Sequence, residues 1–410
     1  MGRRRPLGVA GAAAVLTAVV GTTLVVGACR SAGPTPVARS AASYVSGQAR
    51  VPSSSSASSA STRAAAEPSA EPSAPGRVAG PQVRVVRTVA QDLRVPWGIA
   101  RLPNGRILVG SRDTGRIYRI DLTTRRRVTV GRVAGSVSNV AQGGEAGLLG
   151  IALSPSFATD HRLYAYFSTR TDNRIAWLRY HPHRHPHGLG RPHVIVRGIP
   201  HGVHHDGGRI AFGPDGMLYA GTGEIQHPAL AQRKSSLGGK ILRMTPSGRP
   251  APGNPFGTLV YSYGHRNVQG LAFDPAGRLW ASELGDHTAD ELNLILPGHN
   301  YGWPATQGAT SNPAYTSPVA QWGTAEDSPS GIAYAHGAIW MAALHGQRLW
   351  RIPLHGNTAG RPRDFLVGRF GRLRSVLALD DTHLLITTSN RDGRAPAHRG
   401  DDKVILLRVR

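Results

Sequence analysis

A strand–turn–strand unit recurs six times between Gly98 and Ile386, and it constrains the fold more than any other feature of the chain. Gly98-Ile99-Ala100 leads through Pro103-Asn104-Gly105 into Ile107-Leu108-Val109. Gly150-Ile151-Ala152-Leu153 leads through Ser154-Pro155 to Leu163-Tyr164-Ala165. The third copy joins Ile210-Ala211-Phe212 to Leu218-Tyr219-Ala220, and the fourth joins Leu271-Ala272-Phe273 to Leu279-Trp280-Ala281. Gly331-Ile332-Ala333 and Val376-Leu377-Ala378 open the last two. The turns recur at intervals of roughly 45 to 61 residues, room for about four strands per repeat. Six such units predict an all-β, six-bladed β-propeller, against a pair of β-sandwiches or a β-solenoid. Loops at one end of a propeller channel converge, so polar loops next to the repeats can share one pocket.

The third copy carries the densest chemistry, in His201 to Glu224. Pro214-Asp215-Gly216 between alternating apolar residues is a strong hairpin signal. His205 and Glu224 flank the open ends of that hairpin, so a tight turn brings them together. An imidazole oriented by a carboxylate is a common way to build a general base.

The first eighty residues do not fit this pattern. Arg3-Arg4-Arg5 precede an apolar run from Leu7 to Val26, and Val26-Gly27-Ala28 lead to Cys29, the single cysteine. A basic start, a short apolar core and small residues before a cut site describe a secretory signal. A cysteine directly after them resembles a bacterial lipobox, with residues 1–28 removed and Cys29 lipidated; the competing reading is an uncleaved membrane anchor. Both put the rest of the chain outside the cytoplasm, as an exported lipoprotein at the cell surface or on the periplasmic side of the membrane. Residues 29–80 are rich in Ser, Ala and Pro and read as a flexible linker, leaving 81–410 as the folded domain. The formal net charge of +24 is carried by dispersed arginines, and no nucleic-acid motif accompanies it. No nucleic-acid partner is expected.

Four polar loops adjoin the repeats: Gly144-Glu145-Ala146-Gly147, His204-His205-Asp206-Gly207-Gly208-Arg209, Gly264-His265-Arg266-Asn267-Val268-Gln269-Gly270, and Glu283-Leu284-Gly285-Asp286 through Asp290-Glu291-Leu292-Asn293 to Asn300-Tyr301-Gly302-Trp303-Pro304. Together they resemble the soluble quinoprotein glucose/sorbosone (aldose sugar) dehydrogenases, over about Val83 to Leu407. The resemblance implies a six-bladed propeller that binds pyrroloquinoline quinone (PQQ) and calcium. It implies oxidation of an aldose at C1 to the lactone, with electrons passed to a respiratory or artificial acceptor.

Carried over residue by residue, the resemblance makes His205 the base and Glu224 its orienting carboxylate. It makes Arg266, Asn267, Arg372 and Arg374 cofactor contacts, with Glu145 and His345 beside them. Gly285 and Asp286 match a channel calcium loop, and Glu291 and Tyr301 a second, structural calcium site, Tyr301 through its carbonyl. The chain departs from the better-known members at three places: Glu145 replaces a glutamine, His345 a lysine, and His204 an acid. The substrate-side loops are short, which implies an open cleft. The alternatives are a calcium-dependent propeller lactonase and a non-catalytic propeller that binds carbohydrate or protein.

Overall fold

A computed structural model describes residues 80–410. The expected signal segment, Cys29 and nearly all of the linker fall outside the described residues. Within them the chain forms six antiparallel sheets, each made of strands consecutive in sequence except the last. The expected six-bladed propeller is therefore the observed one.

In every blade the repeated unit supplies the two innermost strands. The inner strands are Pro96–Arg101, Leu148–Leu153, Ile210–Phe212, Val268–Phe273, Pro329–Ala335 and Leu373–Asp380. Each packs against its neighbours around the ring. That crowding explains the glycines that open several repeats. A Cβ on Gly150 would stand 2.3 Å from the Gly208 carbonyl oxygen of the next blade, while Gly150 N–H donates to that same oxygen at 3.0 Å. No side chain fits there.

The ring closes by strand exchange between the two ends of the folded region. Val83–Ala90 forms the outer edge of the sixth sheet, paired antiparallel with Val404–Val409. Closure of this kind leaves no blade half-built and joins first and last repeats without a covalent bond. Between blades the core is largely apolar, with Trp97, Trp280 and Trp340 almost wholly buried. The fifth blade adds two short strands, Thr358–Ala359 and Arg363–Phe365, both paired with Leu349–His355. Among the described residues the only α-helices are single turns, Phe157–Asp160 and Ala229–Gln232.

Candidate active site

The hairpin of the third blade positions the first pair of side chains. Ile210, Ala211 and Phe212 face Ala220, Tyr219 and Leu218, so the segments beyond its open end run side by side. There His205 Nδ1 lies 2.5 Å from Glu224 Oε1. The side chain of Glu224 is 1% exposed and that of His205 is 14% exposed, so the ring keeps an edge toward solvent while its partner is buried. A carboxylate at that distance from Nδ1 assigns the ring proton to Nδ1 and leaves Nε2 as the acceptor. His205 holds φ +60°, a left-handed conformation that costs a non-glycine residue free energy and persists only when its surroundings enforce it. Gly223 runs close beneath it: a Cβ there would lie 1.8 Å from the His205 carbonyl oxygen.

Arg266 and Asn267 join this pair from the fourth blade. Glu224 N–H donates to the Arg266 carbonyl at 2.9 Å, and Gly207 N–H donates to Asn267 Oδ1 at 3.0 Å. Asn267 is fully buried, and its Nδ2 has no protein partner. The Arg266 guanidinium donates to the Gly285 carbonyl and, at 2.7 Å, to Asp286 Oδ1. The Gly285–Asp286 loop, whose main-chain carbonyls the resemblance assigns to calcium, thus also receives this arginine.

Arg372 and Arg374 sit on the other side of the channel, 7% and 3% exposed. Both reach Asp392: Arg372 Nε at 2.9 Å and Arg374 Nη2 at 3.4 Å. Arg374 also donates to Gln269 Oε1 at 2.7 Å, which ties the sixth blade to the fourth. Burial pushes the Arg374 guanidinium down to about 9, still cationic at neutral pH. Arg209 is buried beside Arg374, stacked on Trp97 and bonded only to neutral groups, the Gln269 carbonyl and Ser375 Oγ. Two buried guanidiniums therefore share one carboxylate, and a third, Arg209, touches none. Arg112 belongs to the same group: it is 1% exposed, its Nε pairs with Asp113 Oδ1 at 2.7 Å, its charge acts on Arg374, and neither Nη atom has a protein partner.

Glu145 links the two halves. Its Oε2 accepts from His205 N–H at 3.1 Å, and its Oε1 pairs with Arg394 Nη2 at 3.0 Å. His345 stands apart, exposed on the connection between Ala338–Ala343 and Leu349–His355, where its charge acts on Asp290.

Glu291 and Tyr301 line a separate recess with Glu283, Gly285 and Arg266. Glu291 and Glu283 are cross-strand partners, so their carboxyls share one face. Burial and the charge of Glu283 push the Glu291 carboxyl up to about 7. Asn293 Oδ1, beside them, is buried without a partner. The Tyr301 hydroxyl donates to the Leu294 carbonyl at 2.6 Å, and its ring stacks on His265. Among the described residues no cluster of three or more His, Cys, Asp or Glu side chains is arranged to hold a metal.

Sequence reasoning did not single out Arg112, Arg209, Gln269, Asp392 or Arg394 as site residues. Asn390-Arg391-Asp392-Gly393-Arg394 has the composition of a surface turn, and nothing local distinguishes it from one.

Comparison with known proteins agrees with this geometry. The family described as glucose/sorbosone dehydrogenase matches residues 93–406. The PQQ-bound aldose sugar dehydrogenase of Streptomyces coelicolor is 56% identical and superposes with a TM-score of 0.78, covering 80% of this chain and 98% of that one. The aldose sugar dehydrogenase YliI of Escherichia coli is 27% identical over 77% of this chain and 92% of its own length. Quinoprotein glucose dehydrogenase B of Acinetobacter calcoaceticus is 31% identical over 56% of this chain and 54% of its own. The repeat, the channel and the family match over three quarters of its length agree: this chain belongs to the glucose/sorbosone dehydrogenase family.

Proposed function

We propose that the protein is a PQQ-dependent aldose dehydrogenase that oxidises the sugar at C1 to the lactone. The observation that carries this reading is a set of three buried guanidiniums, of which Arg372 and Arg374 share the carboxylate of Asp392 and Arg209 touches no carboxylate. Uncompensated buried positive charge is costly unless an anion completes it. PQQ is a small, flat tricarboxylate, and the donor set suits it: Arg266, Arg372, Arg374, the free Asn267 Nδ2 and the free Nη atoms of Arg112. When bound, the quinone supplies the two-electron oxidant for the sugar.

The chain's own part is to bind, orient and move a proton. His205 Nε2 takes the proton of the anomeric hydroxyl, and Glu224 stabilises the imidazolium that forms while holding the ring in one tautomer. The left-handed backbone of His205 aims the ring before substrate arrives, so no reorganisation is spent at the moment of transfer.

For calcium the two expected loops differ. The Gly285 carbonyl and the Asp286 carboxylate accept from Arg266, and no step is assigned to a cation there. The Glu283–Glu291 pair with the orphaned Asn293 Oδ1 suits a hard cation, which would relieve the repulsion between the two carboxyls. Its role would be structural. The lipoprotein reading of Cys29 adds a membrane tether, residues 29–80 as a stalk, residues 81–410 as the catalytic domain, and an acceptor at the envelope.

The test is dye reduction by the purified protein with PQQ, calcium and a panel of aldoses, beside His205→Ala. Turnover that needs PQQ and disappears in His205→Ala supports the reading. Failure to bind PQQ removes it and leaves a propeller that recognises another anion.

A further inference from the structure

We propose that Glu145 and Arg394 form a positioning pair for the base: a carboxylate that holds the His205 backbone, kept ionised by a guanidinium from the last blade. The inference rests on His205 being the base. It adds two residues that touch neither the ring of His205 nor its partner Glu224.

His205 is held in its left-handed conformation by more than its ring. Its N–H donates to Glu145 Oε2 at 3.1 Å, and Glu145 N–H donates in return to the Val203 carbonyl at 2.9 Å. The two segments are further stitched by Asn139, whose Oδ1 accepts from Ala146 N–H at 2.9 Å and whose Nδ2 donates to the Gly202 carbonyl at 3.0 Å. Glu145 is therefore the acceptor that fixes the peptide immediately before the base. If that acceptor weakens, the strained φ of +60° loses a restraint and the imidazole loses its aim.

A carboxylate in this place needs a counter-charge. Burial alone would push the Glu145 carboxyl up, yet it sits below the usual range, because the charges of Arg394 and His205, the His205 N–H and the charge of Arg374 together outweigh burial. Arg394 is the largest of these. Its Nη2 lies 3.0 Å from Glu145 Oε1 and 3.3 Å from His204 Nδ1, so it also ties the segment before the base. The groups facing Glu145 are thus Arg394, His205 and Arg374, with His204 reached through Arg394. A neutral amide would offer His205 N–H the same oxygen and need no cation. Glutamate and Arg394 are matched to each other.

That match gives the test. The full chain is compared with Arg394→Met, Glu145→Gln and the double variant, with His205→Ala alongside. In the protein without cofactor, the His205 amide proton is followed by NMR against pH; its shift reports ionisation of the carboxylate it donates to. In Arg394→Met the midpoint of that titration moves up. With PQQ and sugar, the acid limb of kcat moves up with it while KM stays within about two-fold. At the pH of greatest loss, kcat of Arg394→Met falls about ten-fold, and the double variant recovers most of it because its amide does not titrate. Should Arg394→Met fail to fold, Glu145→Gln alone must still remove the carboxylate step from the titration of the His205 amide.

An amide titration unmoved by Arg394→Met overturns the pair, as does a double variant no better than Arg394→Met. Turnover that persists in His205→Ala overturns the base reading instead, and the amide titration still decides the pair.

Discussion

His205 and Glu224 meet at 2.5 Å because they lie just beyond the two ends of one hairpin, whose register sets Ile210 opposite Ala220. The carboxylate is buried and the ring is at the edge of solvent. Its role as orienting group predicts that Glu224→Gln lowers kcat by about 10²-fold with little change in KM, since the tautomer is lost and the imidazolium has no partner. Steady-state dye reduction at saturating PQQ checks this. A variant that raises KM and leaves kcat alone would assign Glu224 to sugar binding.

Arg374 makes four directional bonds, to Gln269, Ser330, Asp392 and Ser389. Arg374→Met is expected to weaken PQQ binding about 10- to 100-fold, the worth of one or two charge-assisted hydrogen bonds. Arg374→Lys recovers only part, because an ammonium cannot reproduce the planar fork. Quenching of intrinsic fluorescence on adding PQQ measures both. Equal affinity in Arg374→Met would remove this side of the channel from the cofactor site.

His201 gives a pH signature. Its Nδ1 lies 3.1 Å from Asp206 Oδ1, and that hydrogen bond, ahead of the opposing effect of burial, raises its pKa above the ordinary 6.5. A raised folded-state pKa contributes stability that is complete below the unfolded value and is lost as pH rises through the folded value. The melting temperature should therefore carry a component that declines from pH 6.5 upward, and His201→Gln should flatten it. A His201→Gln profile as steep as the parent's would exclude the Asp206 contact as its source.

Calcium should act through the Glu283–Glu291 recess. At about 100 times its dissociation constant, a ligand that binds only the native state adds about 2.7 kcal/mol, which a thermal melt resolves as several degrees. That increment should vanish with a chelator and in Glu291→Gln. Without calcium, Glu291→Gln should melt at or above the parent, since two buried carboxyls no longer repel. An increment that survives in Glu291→Gln would put the cation elsewhere.

The sequence by itself determined the repeat, the blade count and the hairpin that joins His205 to Glu224. Each depends on information held within a few residues: period-two alternation, a Pro-Asp-Gly turn, a glycine where inner strands crowd. The tertiary structure alone decided that Val83–Ala90 would complete the last blade, that Arg374 would reach Gln269 across 105 positions, and that Arg394 would neutralise Glu145 from the far end of the chain. Those contacts exist because ring closure brings the first and last blades to one channel. There, burial favours partners for charged groups whatever their distance in sequence.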